Sequence, residues 1–169
     1  MKINRRHMIM GATALAGGAF LPLGAFGQPP AMSKYEFELL TEIVDMIIPT
    51  TDTPGAKAAG VPLYIDMMLD DWYSPPERAR FLMGLNDVNL RSPCGDFLSC
   101  TPDKRAAILR KIDDPEKEGY NFFRQLKELT LRGYYTSEIG ATEELRYEAI
   151  PGPYRGCILF EDVGRTWAT

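Results

Sequence analysis

Ser33-Lys-Tyr-Glu36-Phe37-Glu-Leu-Leu40-Thr-Glu-Ile-Val44-Asp-Met-Ile47-Ile48-Pro49 is the stretch that decides the fold class. A serine followed three residues later by a glutamate is a capping box, in which each side chain serves a backbone N–H that the first turn leaves unpaired. Phe37, Leu40, Val44 and Ile47 then recur at the three- and four-residue spacing of one helical face. Pro49 cannot continue the ladder, so the helix should stop at Ile48.

The same punctuation recurs downstream. Thr53-Pro54, Ser74-Pro75, Thr101-Pro102 and Asp114-Pro115 each place a side-chain oxygen at an N-cap and a proline at the first helical position, where a missing N–H costs nothing. These starts predict a short turn over 54–59 and helices near 62–72, 75–91, 102–112 and 115–135. Phe81, Leu85 and Val88 mark one buried face, and Phe122, Leu126, Leu129 and Gly133 another. Gly133 there admits a close neighbour or marks the helix end. The expected fold is mostly α, a compact domain of about five helices.

Beyond about Leu145 the helical period is lost. Residues 145–169 hold Pro151, Pro153, Gly152 and Gly156 among Tyr147, Tyr154, Ile158, Leu159, Phe160 and Trp167. Such a segment reads as an extended, irregular arm that must lie on a surface, its own domain's or a partner's.

At the other end, Arg5-Arg6 precede a weakly apolar Gly/Ala-rich run to Phe26, the pattern of a twin-arginine export signal over residues 1–27. Such signals export proteins already folded. Retention as an anchor and an ordinary secretory route are the alternatives. Cleavage after Gly27 would leave residues 28–169 as one helical domain. It would also remove His7, the only histidine. The remaining body carries (19 − 3) − 23 = −7, which argues against nucleic acid as partner.

Without histidine the usual nucleophile–base pair cannot be built, and the residue most used for haem or zinc ligation is missing. No Cys-x-x-Cys-His haem attachment occurs. Asp70-Asp71, Asp113-Asp114 and Glu143-Glu144 are adjacent pairs, which on a helix point about 100° apart and read as solvated ends. Lys104, Arg105, Arg110 and Lys111 read as an exposed basic face. No catalytic residue, metal ligand or cofactor site is therefore expected in this chain. Cys94 and Cys100 are close enough for a local disulfide that leaves Cys157 for a bond to another chain. A bridge using Cys157, or a buried free thiol, stays equally open.

Three strings carry a resemblance: Ile47-Ile-Pro-Thr-Thr-Asp-Thr-Pro-Gly-Ala-Lys-Ala-Ala-Gly-Val-Pro-Leu-Tyr-Ile-Asp66, Gly133-Tyr-Tyr-Thr-Ser-Glu-Ile-Gly-Ala-Thr142 and Pro151-Gly-Pro-Tyr-Arg-Gly-Cys157. In this order they resemble the gluconate 2-dehydrogenase subunit 3 family. The resemblance implies a non-catalytic small (gamma) subunit of a periplasmic, membrane-associated sugar or sugar-acid dehydrogenase. Its partners would be a large flavoprotein of the glucose-methanol-choline (GMC) type carrying FAD, and a cytochrome c subunit carrying haem c. The small subunit would escort the leaderless flavoprotein through the twin-arginine translocase. Gly133, Tyr134, Tyr135, Tyr154, Arg155, Gly156 and Cys157 are carried over as partner-facing or arm-positioning residues. The competing expectation is a stand-alone periplasmic binding or structural domain.

Overall fold

The computed structural model describes residues 32–116, 119–150, 152–153 and 156–168. Six α-helices are described there: α1 (Lys34–Ile47), α2 (Val61–Asp71), α3 (Pro75–Leu90), α4 (Pro102–Ile112), α5 (Tyr120–Tyr135) and the single turn α6 (Phe160–Val163). A π-helical turn, Gly140–Glu144, follows α5. No strand is present among the described residues, so the mostly α expectation holds.

The caps explain the helix starts. The Ser33 N–H donates to Glu36 Oε2 at 2.7 Å while Ser33 Oγ accepts from the Glu36 N–H at 3.3 Å, a complete capping box. Ser74 repeats the box with Glu77, its N–H donating to Glu77 Oε2 at 2.9 Å ahead of Pro75 at the first helical position. Thr101 precedes α4 with Pro102 but makes no side-chain cap.

Two of the proline pairs do something else. Asp114-Pro115 does not open α5, whose predicted start at 115 is corrected to Tyr120. The Asp114 carboxylate instead accepts the Glu116 N–H at 3.1 Å, an Asx turn, and Gly119 then takes φ 93°, a left-handed geometry that halts any right-handed run. Thr53 caps no helix either, because its hydroxyl donates to Glu144 Oε2 at 2.8 Å, far along the chain. Gly60 at φ 74°, with Pro62 behind it, introduces α2.

The helices converge on one core. α1 packs against α2, α3 and α5, and α5 against α2 and α3. Leu39, Leu40, Ile43 and Val44 of α1 meet Val61, Ile65 and Leu69 of α2, Phe81, Leu85 and Val88 of α3, and Phe123, Leu126 and Leu129 of α5 in a single buried cluster. Each such side chain contributes about 1.5–3 kcal/mol by leaving water. The α1 stripe is turned from the expected one, since Phe37 and Ile47 are half-buried at its edges. On α5 it is Phe123 that enters the core. Phe122 lies edge-on to Phe81 (centroids 5.2 Å apart) and covers Gly84, where a Cβ would sit 2.4 Å from the ring.

α4 adds one face to the same cluster. Ile108, Leu109 and Ile112 attach it from one face, and the Arg105 guanidinium ties it to Glu42 of α1 at 2.7 Å. The α3–α4 connection is closed by a Cys94–Cys100 disulfide (Cα–Cα 5.5 Å), which resolves the cysteine alternatives, with Cys157 free and exposed.

Candidate partner interface

Two of the three strings that carry the resemblance are packed against each other. The Tyr134 ring, buried at the end of α5, donates its hydroxyl to the Pro54 carbonyl at 2.8 Å. Gly133 lies under the Tyr64 ring, 2.6 Å from where its Cβ would be, so α2 and α5 meet closely there and the helix runs on to Tyr135. Thr53 reaches the π turn through Glu144. Within the loop, Thr50 Oγ1 accepts the Gly55 N–H at 3.0 Å and the Ala56 N–H reaches the Ile48 carbonyl at 2.9 Å.

Gly140 makes this junction possible. A Cβ would stand 2.0 Å from the Tyr134 carbonyl oxygen, inside the contact distance of any two heavy atoms. Its own carbonyl accepts the Leu145 N–H at 2.9 Å, the wide i to i+5 bond of a π turn. Past this turn the described residues from Leu145 onward form an irregular arm.

That arm is pinned at its base and open beyond. The Arg146 N–H donates to the Thr166 carbonyl at 2.8 Å and the Ala168 N–H returns to the Arg146 carbonyl at 2.9 Å. The Arg146 guanidinium lies 4.4 Å from the Trp167 ring centre, a cation–π contact. Arg165 adds a bond to the Glu143 carbonyl. The segment between these clasps holds Tyr147, Ile150, Ile158 and Leu159 outward, Ile150 at 84% exposure, together with Gly156 and the Cys157 thiol.

Of the residues carried over as partner-facing or arm-positioning, Gly133 and Tyr134 are therefore buried in the domain's own junction. Tyr135 is 41% exposed, and Gly156 and Cys157 are exposed on the arm. Tyr154, Arg155 and the leader with Arg5 and Arg6 lie outside the described residues. Periodicity alone did not point to the further exposed apolar side chains Leu63 and Met67 of α2, Trp72 at its end, and Met83 and Leu90 of α3. Leu63–Met67 and Met83–Leu90 stand four and seven apart, so each pair shares the outer face of its helix. That spacing was the available signal.

The remaining charged groups offer little chemistry. Lys104, Arg110 and Lys111 rim an open groove of about 930 Å³ whose far end is acidic, with Asp114 and Glu116. Arg110 and Lys111 occupy the last turn of α4, where the helix dipole favours cations. No group of three or more His, Cys, Asp or Glu among the described residues could hold a metal ion. No helix among them is long and apolar enough to cross a membrane.

Asp66 is the carboxyl that stands apart among the described residues. Its Oδ1 is buried without a partner, and desolvation, reinforced by the charge of Asp70 and opposed by the Met32 backbone, pushes its pKa up. A carboxyl raised by folding is unfavourable when ionised, a cost absent at low pH and growing as pH rises through the folded value. Asp66→Asn should therefore raise the melting temperature at pH 7, with the gain vanishing at pH 3 and below. A thermal-denaturation series across pH checks both halves.

Comparison with known proteins takes in the first two strings whole and the first two residues of the third. The family model described as gluconate 2-dehydrogenase subunit 3 matches residues 34–152, from the start of α1 into the arm. No curated protein and no solved structure matches the chain.

Proposed function

Because the chain belongs to the gluconate 2-dehydrogenase subunit 3 family, we propose that it is the non-catalytic small subunit of a periplasmic sugar or sugar-acid dehydrogenase, escorting a folded flavoprotein through twin-arginine export and stabilising the assembled complex. In this reading the large partner holds FAD and oxidises an alcohol carbon, and a haem-c cytochrome subunit takes the electrons. This chain supplies surface. The substrate is read by the partner.

The observation that carries the reading is the amount of large apolar surface left uncovered. Trp72 at 78% exposure, Met83, Leu90, Ile150 and Leu159 stand outside a core that is otherwise well filled. Isolated exposed apolar residues are ordinary, but runs on one helix face and one arm are what partner contacts cover. The absence of histidine from residues 28–169 supports a role without proton-transfer chemistry.

Deleting residues 1–27 should strand the flavoprotein in the cytoplasm, as read by fractionation and dye-linked activity. If the flavoprotein still reaches the periplasm, escort is wrong. The purified chain alone should show neither flavin absorbance nor dye reduction. The exposure of the free Cys157 thiol supports a bond to the partner in this reading. A non-reducing gel of the complex should then show a heavy band that Cys157→Ser removes; a band surviving the change would exclude this thiol.

A further inference from the structure

The α3–α4 loop, residues 91–101, is ordered by contacts that do not involve sulfur. Phe97 is fully buried beneath it. The Phe97 N–H donates to Asn89 Oδ1 at 2.8 Å, and its carbonyl accepts from Arg105 Nε at 3.1 Å. Tyr35 OH donates to the same Asn89 oxygen at 2.8 Å and also to Asp96. Asp96 in turn accepts the Leu98 N–H at 3.3 Å and the Ser99 hydroxyl at 3.1 Å. Gly95 at φ 82° makes the reversal, and the Cys100 N–H closes on the Phe97 carbonyl at 3.1 Å.

With the bridge closed, Cys94 and Cys100 stand at a Cα separation of 5.5 Å, within the span a disulfide needs, and none of the contacts that order the loop passes through a sulfur atom. The bridge adds a link to a loop anchored at both ends and in its middle. We infer that the Cys94–Cys100 disulfide is a late lock: the loop reaches its shape with both thiols reduced, and the bridge closes afterwards on a preformed pair. A domain built this way completes its fold in a reducing compartment and gains the covalent link in an oxidising one. That role in export rests on the proposed twin-arginine route. Loop order in the reduced chain is measured without it, so the two fail separately.

Closure consumes a disulfide oxidant. One cysteine thiolate attacks a sulfur of the oxidant and releases one thiol, then the second thiolate attacks the mixed disulfide and releases the other. Two protein thiols and one oxidant disulfide become one bridge and two small thiols. The proximity of the pair sets an effective concentration, and anything that loosens the loop lowers it.

The test uses the full chain with Cys157→Ser, so that one pair alone can form, and glutathione disulfide as oxidant. The reduced chain, and the Cys94→Ser/Cys100→Ser variant, should keep the same far-UV circular dichroism and one cooperative thermal transition, lowered by no more than about 10 °C. A reduced chain without a cooperative transition would overturn the inference. In glutathione titrations, Asn89→Ala should lower the equilibrium constant for closure at least about tenfold, because Phe97 and Tyr35 lose their shared acceptor. Tyr35→Phe, a milder change that keeps the ring, should lower it by several-fold. Closure constants unchanged in both variants would mean that the bridge orders the loop, the opposite of what is inferred.

Discussion

Gly140→Ala is expected to lower the melting temperature by about 10 °C, since among the described glycines it is the one whose added Cβ would come nearest to another atom. The new Cβ would stand 2.0 Å from the Tyr134 carbonyl oxygen and 3.1 Å from the Tyr135 Cα, all backbone, so no side chain can swing away. The π turn must move, and with it the Leu145 N–H bond to Gly140 and the Thr53 hydroxyl on Glu144. Overpacking of this kind costs about 3 kcal/mol, and a domain of this length loses about 3–5 °C per kcal/mol.

Gly133→Ala provides the internal control. Its Cβ meets Tyr64 Cδ1 at 2.6 Å, but the obstacle is a half-buried ring that can shift, and alanine regains about 1 kcal/mol of helix propensity over glycine. The expected net change is within about 1 kcal/mol. Urea denaturation of both variants decides the matter: equal losses would show that the carbonyl contact at Gly140 is not the cause.

The contrast bears on what could be read from the sequence. Helix positions were legible because local chemistry sets them: Ser33 with Glu36, Ser74 with Pro75 and Pro102 each act within one turn. Phe81, Leu85 and Val88 are buried as their spacing requires, since α3 has one core-facing side. The misreadings arose where a distant residue competed for the same group. Thr53 had a local helix to cap only until Glu144 offered its carboxylate, 91 positions away. Asp114 looked like a cap, but its carboxylate bends the chain back onto Glu116, and Gly119 in the left-handed region postpones α5.

The arm was legible in kind more than in detail. An arm rich in aromatic and branched residues after Leu145 was evident from composition, and Ile150 and Leu159 are indeed uncovered. Gly133 and Tyr134, by contrast, belong to a string whose residues hold the 50–60 loop against α5. A short motif does not distinguish residues that meet another chain from residues that seat its own loop, because both demand fixed shape. The apolar outer faces of α2 and α3 were hidden for a related reason: their spacing resembles that of core positions, and only packing tells which side is inward.

Arg105→Ala should cost about 3 kcal/mol, the second large effect, although Arg105 looks in the sequence like one of four cations on an exposed helix. Its Nε donates to the Phe97 carbonyl at 3.1 Å, Nη2 bonds the Leu98 carbonyl, and Nη1 reaches Glu42 Oε2 at 2.7 Å. The guanidinium also sits over the Phe97 ring, 5.8 Å from its centre. Truncation leaves the Leu98 carbonyl without its side-chain donor and the Phe97 carbonyl with the Cys100 N–H alone, at roughly 1 kcal/mol or more each, and removes the guanidinium strut between α4 and α1. Glu42 keeps Lys57 at 3.5 Å, so its carboxylate is not stranded and Glu42→Gln should cost only about 1 kcal/mol. Arg105→Lys should recover little, because one ammonium cannot serve three acceptors spread over a planar fork. A double-mutant cycle of Arg105→Ala with Glu42→Gln separates the strut from the loop: a coupling as large as the whole arginine effect would place the energy in the ion pair and leave the carbonyls nothing to explain. The expected coupling is less than half of it, since two of the three polar contacts are to the loop that Phe97 anchors.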